Sequence, residues 1–331
     1  MQPFEYARPN TREQAVRLLG TEPGRSAVLA GGSDLLALMK DGVETPKRLV
    51  DVRSVAGMSG VRSTDDGGLR IGALTTIDDL VADAALGWDY PVLAKAASRV
   101  AGPQIRNVAT LGGNLCQRPR CWYFRGGFGL LAQRDGKSMV TDGDNRYHAI
   151  LGNDGPALFV QPSTLAPLLV ALGARVTLFG PQGERVLDLE QLYRIPKTAE
   201  EREIVLAPGE ILTEVLLPPP AGRRLASYEV RQRETLDWSL ATGSVVLTLD
   251  GNKVSQARVV LGQVAPVPWV AKEAEAFLVG KDIDEKIAEK AGEAAVAGAK
   301  ALSRNRYKIQ LARVAVKRAL LAAVGRGNGE G

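Results

Sequence analysis

Two short stretches hold residues whose types and spacing could do chemistry. In "LAGGSDLL", Gly31, Gly32 and Ser33 stand between a β-like run and apolar residues at helical spacing. Small residues at such a junction let backbone N–H groups and a helix start approach a phosphate. In "NVATLGGNLCQRPRCWYFR", Gly112 and Gly113 stand beside Thr110 and Asn114, giving hydroxyl and amide donors next to a bare backbone. Cys116 and Cys121 follow, with Arg118, Arg120 and Arg125 around Trp122, Tyr123 and Phe124. Taken alone, the first glycine pair is more often only a tight turn, and the second reads as readily as a glycine-rich bulge. Neither forms a P-loop or a GxGxxG dinucleotide fingerprint. Two such loops about eighty residues apart suit a ligand with a diphosphate and a long body, which directs attention to flavins.

The other reactive residues are few. Cys116 and Cys121 are the only cysteines, so no disulfide framework is plausible, and a local metal or redox role stands against simple packing. His148 is the single histidine, which removes any chemistry needing two; in "NRYHAILG" it reads as a hydrogen-bonded loop residue. The arginine and aromatic string has the make-up to stack bases or grip phosphates. Yet the 42 basic and 37 acidic residues are spread along the chain, and nucleic-acid binding is not indicated. No apolar run reaches the roughly 18 residues needed to span a bilayer. The start "MQPFEYARPNTREQAV" has no charged-then-apolar leader, so a cytoplasmic chain is expected, with export through a partner's signal left open.

These residues need elements to hold them, and 331 residues at 45% hydrophobic content suffice for two or three domains. "SAVLAGGSDLLALMK" predicts a strand, a glycine turn and a helix. "GLRIGALTTIDDLVADA" repeats the unit: Ile71 lies in a strand, and Thr75 or Thr76 caps a helix with Asp78 or Asp79 three residues on. "PVLAKAASRVAG" predicts a further helix ended by Gly102 and Pro103. The following stretch, through "HAILGNDGP", has almost no periodicity, and long loops of this kind are usually functional or disordered. "ALFVQPSTLAPLLVALGARVTLFG" reads as strand, Ser163-capped helix and strand. The prolines at 218 to 220 mark a boundary. Beyond it, "RLASYEVRQR" and "ATGSVVLTLDGNKVSQARVVLGQV", with its Asp250-Gly251 turn, read as antiparallel strands, and residues 270 to 324 as about three helices. The domains expected are 1–218, in two subdomains of roughly 1–55 and 56–218, then 222–325, with a disordered tail at 326–331.

The segments "LAGGSDLL", "IRNVATLGGNL", "PSTLAPLLVALGA" and "LGQVAPVPW" together resemble the FAD-binding subunit of the molybdenum hydroxylases, the xanthine dehydrogenase and carbon monoxide dehydrogenase family. They match in order over nearly the whole chain. "RCWYFR" is most similar to the bacterial aldehyde oxidoreductase branch. The resemblance implies an α+β fold: an FAD-binding domain of the p-cresol methylhydroxylase and vanillyl-alcohol oxidase type, with two α/β subdomains, then a C-terminal α+β domain with a small antiparallel sheet.

It also implies non-covalent FAD, held by Leu29, Ala30, Gly31, Gly32, Ser33, Asp34 and Leu35 of the first motif. From the second motif come Ile105, Ala109, Thr110, Gly112, Gly113 and Asn114. Ser163 and Thr164 stand where relatives often present a Ser-Asp pair, with Thr164 in place of the aspartate. Glu229 occupies the place of a lysine found near the flavin in many relatives, so no basic contact carries over. Arg233, Asp237 and Trp238 match a place where relatives have an arginine and an acidic residue, and an interdomain salt bridge is at least as good a reading there as flavin contact. Some relatives hold an extra [4Fe–4S] cluster after the second motif, which needs four thiolates. Two cysteines cannot supply them, so no metal site is expected in this chain, and both read as structural.

The implied assembly has three subunits. A large molybdenum-cofactor subunit oxidises an aldehyde or heterocycle, a small [2Fe–2S] subunit relays electrons to this FAD, and an external acceptor takes them. No catalytic side chain is expected, since the protein's task is to bind, orient and tune a cofactor. The residues also leave open a self-contained flavin reductase or oxidase on the same fold, and an assembly module without cofactor.

Overall fold

A computed structural model describes residues 1–233 and 237–326 of the chain. Three main sheets follow one another along the sequence. In the first, Arg48–Asp51 lies between Glu5–Ala7 and Ser26–Leu29, all parallel. Parallel neighbours need crossovers, which the helices Arg12–Leu19 and Leu35–Lys40 supply. The former starts at Thr11, whose hydroxyl accepts from the Gln14 amide at 3.2 Å, and turns Ala15, Val16 and Leu19 inward.

The second sheet runs Val61–Ser63, Leu69–Gly72, Ile211–Leu217, Arg175–Gly180, Gly183–Asp188, with every pair antiparallel. Its central strand, Ile211–Leu217, arrives from far along the chain, which no local pattern announces. The helix after Ile71 is Ile77–Ala82, and its capping box resolves the alternatives left by the sequence. Thr76 Oγ1 accepts from Asp79 N at 3.0 Å and Asp79 Oδ2 from Thr76 N at 3.2 Å. Thr75 instead turns into the core and accepts from Gly60 N. A helix forms at Pro91–Ser98, preceded by a short one, Ala84–Asp89, capped by Asp83; it ends before Arg99 rather than at Gly102, and Pro103 instead opens the turn Pro103–Arg106.

The third sheet is antiparallel, ordered Arg224–Arg231, Ser239–Asp250, Lys253–Gly262 and Trp269–Val270. Lys272–Leu278, Glu285–Ala295 and Tyr307–Ala323 are the three C-terminal helices. Ala288, Ala291 and Ala295 are buried at helical spacing, as are Ala312, Val316, Ala319 and Ala323, so small side chains bring these helices close to one another and to the sheet. The helix Ala166–Leu172 is buried at every residue, packed against Ser239–Asp250 and Lys253–Gly262 of the third sheet and the turn Leu189–Leu192.

Two expectations need correction, and one open alternative is decided. Residues 157–160 form no strand: Leu158 O accepts from Ala149 N, and Ala157 and Phe159 pack against Leu38 and Phe124 in a buried extended segment. An apolar run signals burial, but burial between loops gives the same pattern as burial in a sheet. The aperiodic stretch before it is ordered. It holds a hairpin of Gln133–Arg134 with Lys137–Ser138 and a turn of helix at Met139–Asp142, and buries Leu130, Leu131, Val140 and Ile150. Its anchors lie some 150 residues downstream: Lys308 Nζ donates to the carbonyls of Tyr147 and His148 at 3.1 Å, and Asn305 Nδ2 donates to those of His148 and Ala149. In the tail, Arg326 is tied down, its amide donating to Leu321 O and its side chain to Ile283 O; residues 327–331 lie outside the described residues.

Candidate functional site

The first glycine motif leaves Ser26–Leu29 and turns into Leu35–Lys40. Gly32 sits at φ +71°, a left-handed conformation that glycine takes without steric penalty. A Cβ on Gly31 would lie 1.8 Å from Val108 O, so the absence of a side chain there is what lets the two glycine motifs touch. Leu36 N donates to Gly32 O at 3.1 Å, closing the first turn. Among the described residues the amides of Gly32, Ser33 and Asp34 have no acceptor. Three consecutive donors are thereby left for a ligand.

The second motif is built the other way. Thr110 caps the short helix Leu111–Cys116, its hydroxyl accepting from Gly113 N at 3.1 Å and its carbonyl from Asn114 N at 2.8 Å. Leu111 N donates to Thr75 O at 2.9 Å and Gly112 N to Ala73 O at 2.8 Å. The amides of residues 111–114 are spent inside the protein, and at Gly112 and Gly113 the loop presents surface without side chains.

One cleft of about 490 Å³ brings the motifs together, lined by all six residues from Ala30 to Leu35 and by Thr110, Gly112 and Gly113. The other predicted residues stand apart from its wall. Leu29 packs with Met39 and Leu49; Ala109 is buried, and its carbonyl accepts from Ile77 N. Ile105 is 43% exposed on the turn Pro103–Arg106. Ser163 is fully buried, and its hydroxyl donates to Asn114 Oδ1 at 2.6 Å, so it reaches the motif through a neighbour; Thr164 beside it is half-buried. Sequence reasoning missed Arg194 and Arg202, which line the same cleft. They sit in the excursion between the second sheet's outer and central strands, which carries no motif.

The arginine and aromatic string proves to be the first motif's brace. Asp34 Oδ2 accepts from Arg118 N at 2.8 Å and Oδ1 from Arg125 Nη2 at 2.7 Å, with Arg120 Nη2 at 3.2 Å. The Asp34 carboxylate is thus turned toward three arginines, and only its amide belongs to the free donors. Arg118 in turn meets Glu44, and its Nε lies 2.5 Å from the buried Glu203 carboxylate. Arg120 stacks on Trp238, 4.8 Å from the ring centroid, which ties the brace to the third sheet.

Cys121 closes the far end of this brace, its Sγ 3.2 Å from His148 Nε2. Burial first, then the Lys308 ammonium, holds the His148 pKa down to about 4, so the imidazole is neutral near pH 7. Burial pushes the Cys121 thiol up, and the Cys116 thiol up to about 12, so both are protonated near pH 7. Among the described residues no group of three or more His, Cys, Asp or Glu side chains could hold a metal ion. Glu229 is buried against Arg231 at 2.7 Å and accepts from the Ser239 hydroxyl. Arg233 and Asp237 form a loose exposed pair at 4.0 Å, while Trp238 goes to Arg120.

Comparison with known proteins agrees with this architecture. Residues 2–220 match the family model described as the FAD binding domain in molybdopterin dehydrogenase, and residues 226–323 match the CO dehydrogenase flavoprotein C-terminal domain. The chain is 37% identical over 281 residues to the aldehyde oxidoreductase FAD-binding subunit PaoB of Escherichia coli K12, covering 84% of this chain and 86% of that protein. It is 33% identical to the carbon monoxide dehydrogenase medium chain of Afipia carboxidovorans, over 98% of this chain and 97% of the other. Among solved structures, the Cu,Mo-CO dehydrogenase in its cyanide-inactivated form superposes with a TM-score of 0.76 at 30% identity, covering 99% of this chain and 100% of that one. The α+β fold with its separate antiparallel C-terminal sheet is the one expected from the sequence.

Proposed function

The chain belongs to the family of FAD-binding medium subunits of molybdenum hydroxylases, and we propose that it is the electron-transfer subunit of a molybdenum-cofactor dehydrogenase complex. In that role it takes electrons from a [2Fe–2S] subunit and passes them to an external acceptor, while a large molybdenum-cofactor subunit oxidises the substrate. The observation that carries the reading is the run of three free amides, at Gly32, Ser33 and Asp34, in one cleft with the bare backbone of Gly112 and Gly113. Such a surface fits a diphosphate: the donors face an anion, and no Cβ keeps it at a distance.

Bound FAD supplies the one- and two-electron redox chemistry that no side chain here has. The chain's own part is to hold it. The amides of residues 32–34 bind the diphosphate; Ala30, Gly31, Leu35, Gly112 and Gly113 shape the wall; Thr110 and Asn114 serve the ribityl side. Leu29, Ala109 and Ser163 support that wall from behind, and Ile105 and Thr164 meet the parts of the cofactor that extend past the cleft. Residues 1–218 form the cofactor-binding unit and 222–325 the C-terminal unit. No helix among the described residues is long and apolar enough to cross a membrane, and the proposed location is the cytoplasm.

Purified chain mixed with FAD at about 100 times its Kd should gain about 2.7 kcal/mol of stability, seen as a rise of several degrees in Tm. A colourless chain whose Tm ignores FAD contradicts the reading. Co-expression with the molybdenum and [2Fe–2S] chains should yield a complex that retains all three.

A further inference from the structure

We propose that Gln263 is a positioning residue for the cofactor site, acting through Ser163 on the side chain of Asn114. The inference rests on the FAD reading above and adds a residue from the C-terminal unit to the site. Gln263 is 3% exposed and sits just past the strand Lys253–Gly262 at φ +59°. A residue other than glycine in that region is uncommon and strained, and persists only where its surroundings hold it. Here they do so on three sides. The Thr242 hydroxyl donates to Gln263 Oε1 at 2.6 Å, Gln263 Nε2 donates to Ser163 O at 2.9 Å, and Lys308 Nζ donates to the Gln263 carbonyl at 2.6 Å.

Gln263 holds the backbone of Ser163, and the start of the next helix directs the Ser163 hydroxyl. Because the Ser163 carbonyl can only accept, the Gln263 amide nitrogen must face it, and the amide oxygen then takes the Thr242 hydroxyl proton. The Ser163 amide donates to Gln161 Oε1, and its hydroxyl oxygen accepts from Ala166 N at 3.0 Å. The hydroxyl proton is thereby directed to Asn114 Oδ1, at 2.6 Å. With its oxygen engaged, Asn114, next to Gly113 of the cleft wall, keeps Nδ2 without an acceptor among the described residues, and this is the donor we assign to a ligand oxygen. Thr242, Gln263, Ser163 and Asn114 are all buried, so water does not compete along the relay. Gly262 makes the approach possible: a Cβ there would lie 2.5 Å from Pro167 Cγ, at the start of the helix that follows Ser163.

The test is a cycle of FAD titrations on the full chain, with thermal unfolding followed in parallel. Gln263→Met keeps the shape and removes both side-chain bonds; it should weaken FAD binding roughly threefold to tenfold, the range for one lost donor. In an Asn114→Ala background the same change should matter less than about twofold, because the group it positions is gone. A purely structural Gln263 would lower Tm and affect FAD equally in both backgrounds, which would overturn the proposal. Thr242→Val, which leaves Gln263 in place but frees its amide to rotate, carries the same cycle if Gln263→Met does not fold, and should show the same dependence on Asn114. Loss of FAD binding by the unaltered chain would overturn the cofactor reading and this inference together; additivity of the two changes in a chain that binds FAD overturns this inference alone.

Discussion

The two glycine loops look alike in sequence and are built on opposite plans. The loop at residues 30–35 keeps three amides free and takes its rigidity from outside, through Asp34 and the arginines of residues 118–125. The loop at residues 110–114 is rigid in itself, the amides of residues 111–114 bonded to Thr110, Thr75 or Ala73, and Gly112 and Gly113 keep the cleft wall clear. A backbone that bonds to a ligand cannot also bond to itself, so the donor loop must be held by side chains, while the spacer loop can hold itself. Glycine therefore serves donation and close contact in one place, and clearance in the other.

The largest effect should come where the loops touch. Gly31→Val would drive a side chain into Val108 O, and the chain should lose at least ~3 kcal/mol, seen as failure to yield a cooperative unfolding transition. A stable Gly31→Val chain would break the claim that contact between the loops fixes both.

Next in size is the acid response of the brace. His148 has a folded pKa of about 4, below the ordinary 6.5, so on acidification the unfolded chain takes up the proton first. Stability from this group is complete above about pH 6.5, falls between about 6.5 and 4, and levels off below; the span is about 3 kcal/mol at most. Urea midpoints at pH 7.5, 5.5 and 4 should trace this fall, and His148→Gln should flatten it.

Asp34→Asn keeps the shape of the donor loop but removes the charge that the Arg120 and Arg125 guanidinium groups face. A loss of about 1–3 kcal/mol in urea unfolding is expected, together with weaker FAD binding, because the free amides would no longer be held. Should FAD affinity survive unchanged, the donor loop needs no brace. Smallest is Gly113→Ala, whose Cβ meets only Thr110 Oγ1, at 3.0 Å. It should cost under ~1 kcal/mol in Tm analysis yet still reduce FAD affinity, since it fills the spacer loop on its ligand side. Equal affinity would mean that no ligand comes close to that glycine.

Much of the molecule was legible before any coordinates. The strand, loop and helix around Gly31, the Thr76 and Asp79 capping box, the hairpin at Gly251 and the three C-terminal helices all depend on neighbours within a few residues, where propensity and periodicity act. So did the two glycine motifs, as positions where a side chain would be in the way. The long-range partners were not legible: residues 157–160 pack against Leu38, and the stretch around His148 is held by Asn305 and Lys308, each more than a hundred residues away.

The sequence by itself determined which residues could approach a diphosphate and which elements would carry them. Only the tertiary structure decided which amides stay free, that Asp34 answers to Arg118 and Arg125, and that Ser163 meets Gln263 a hundred residues later. Hydrogen-bond donors and acceptors carry no address in the sequence; their partners are chosen when packing brings the three sheets together, and a donor's availability to a ligand is whatever that packing leaves unused.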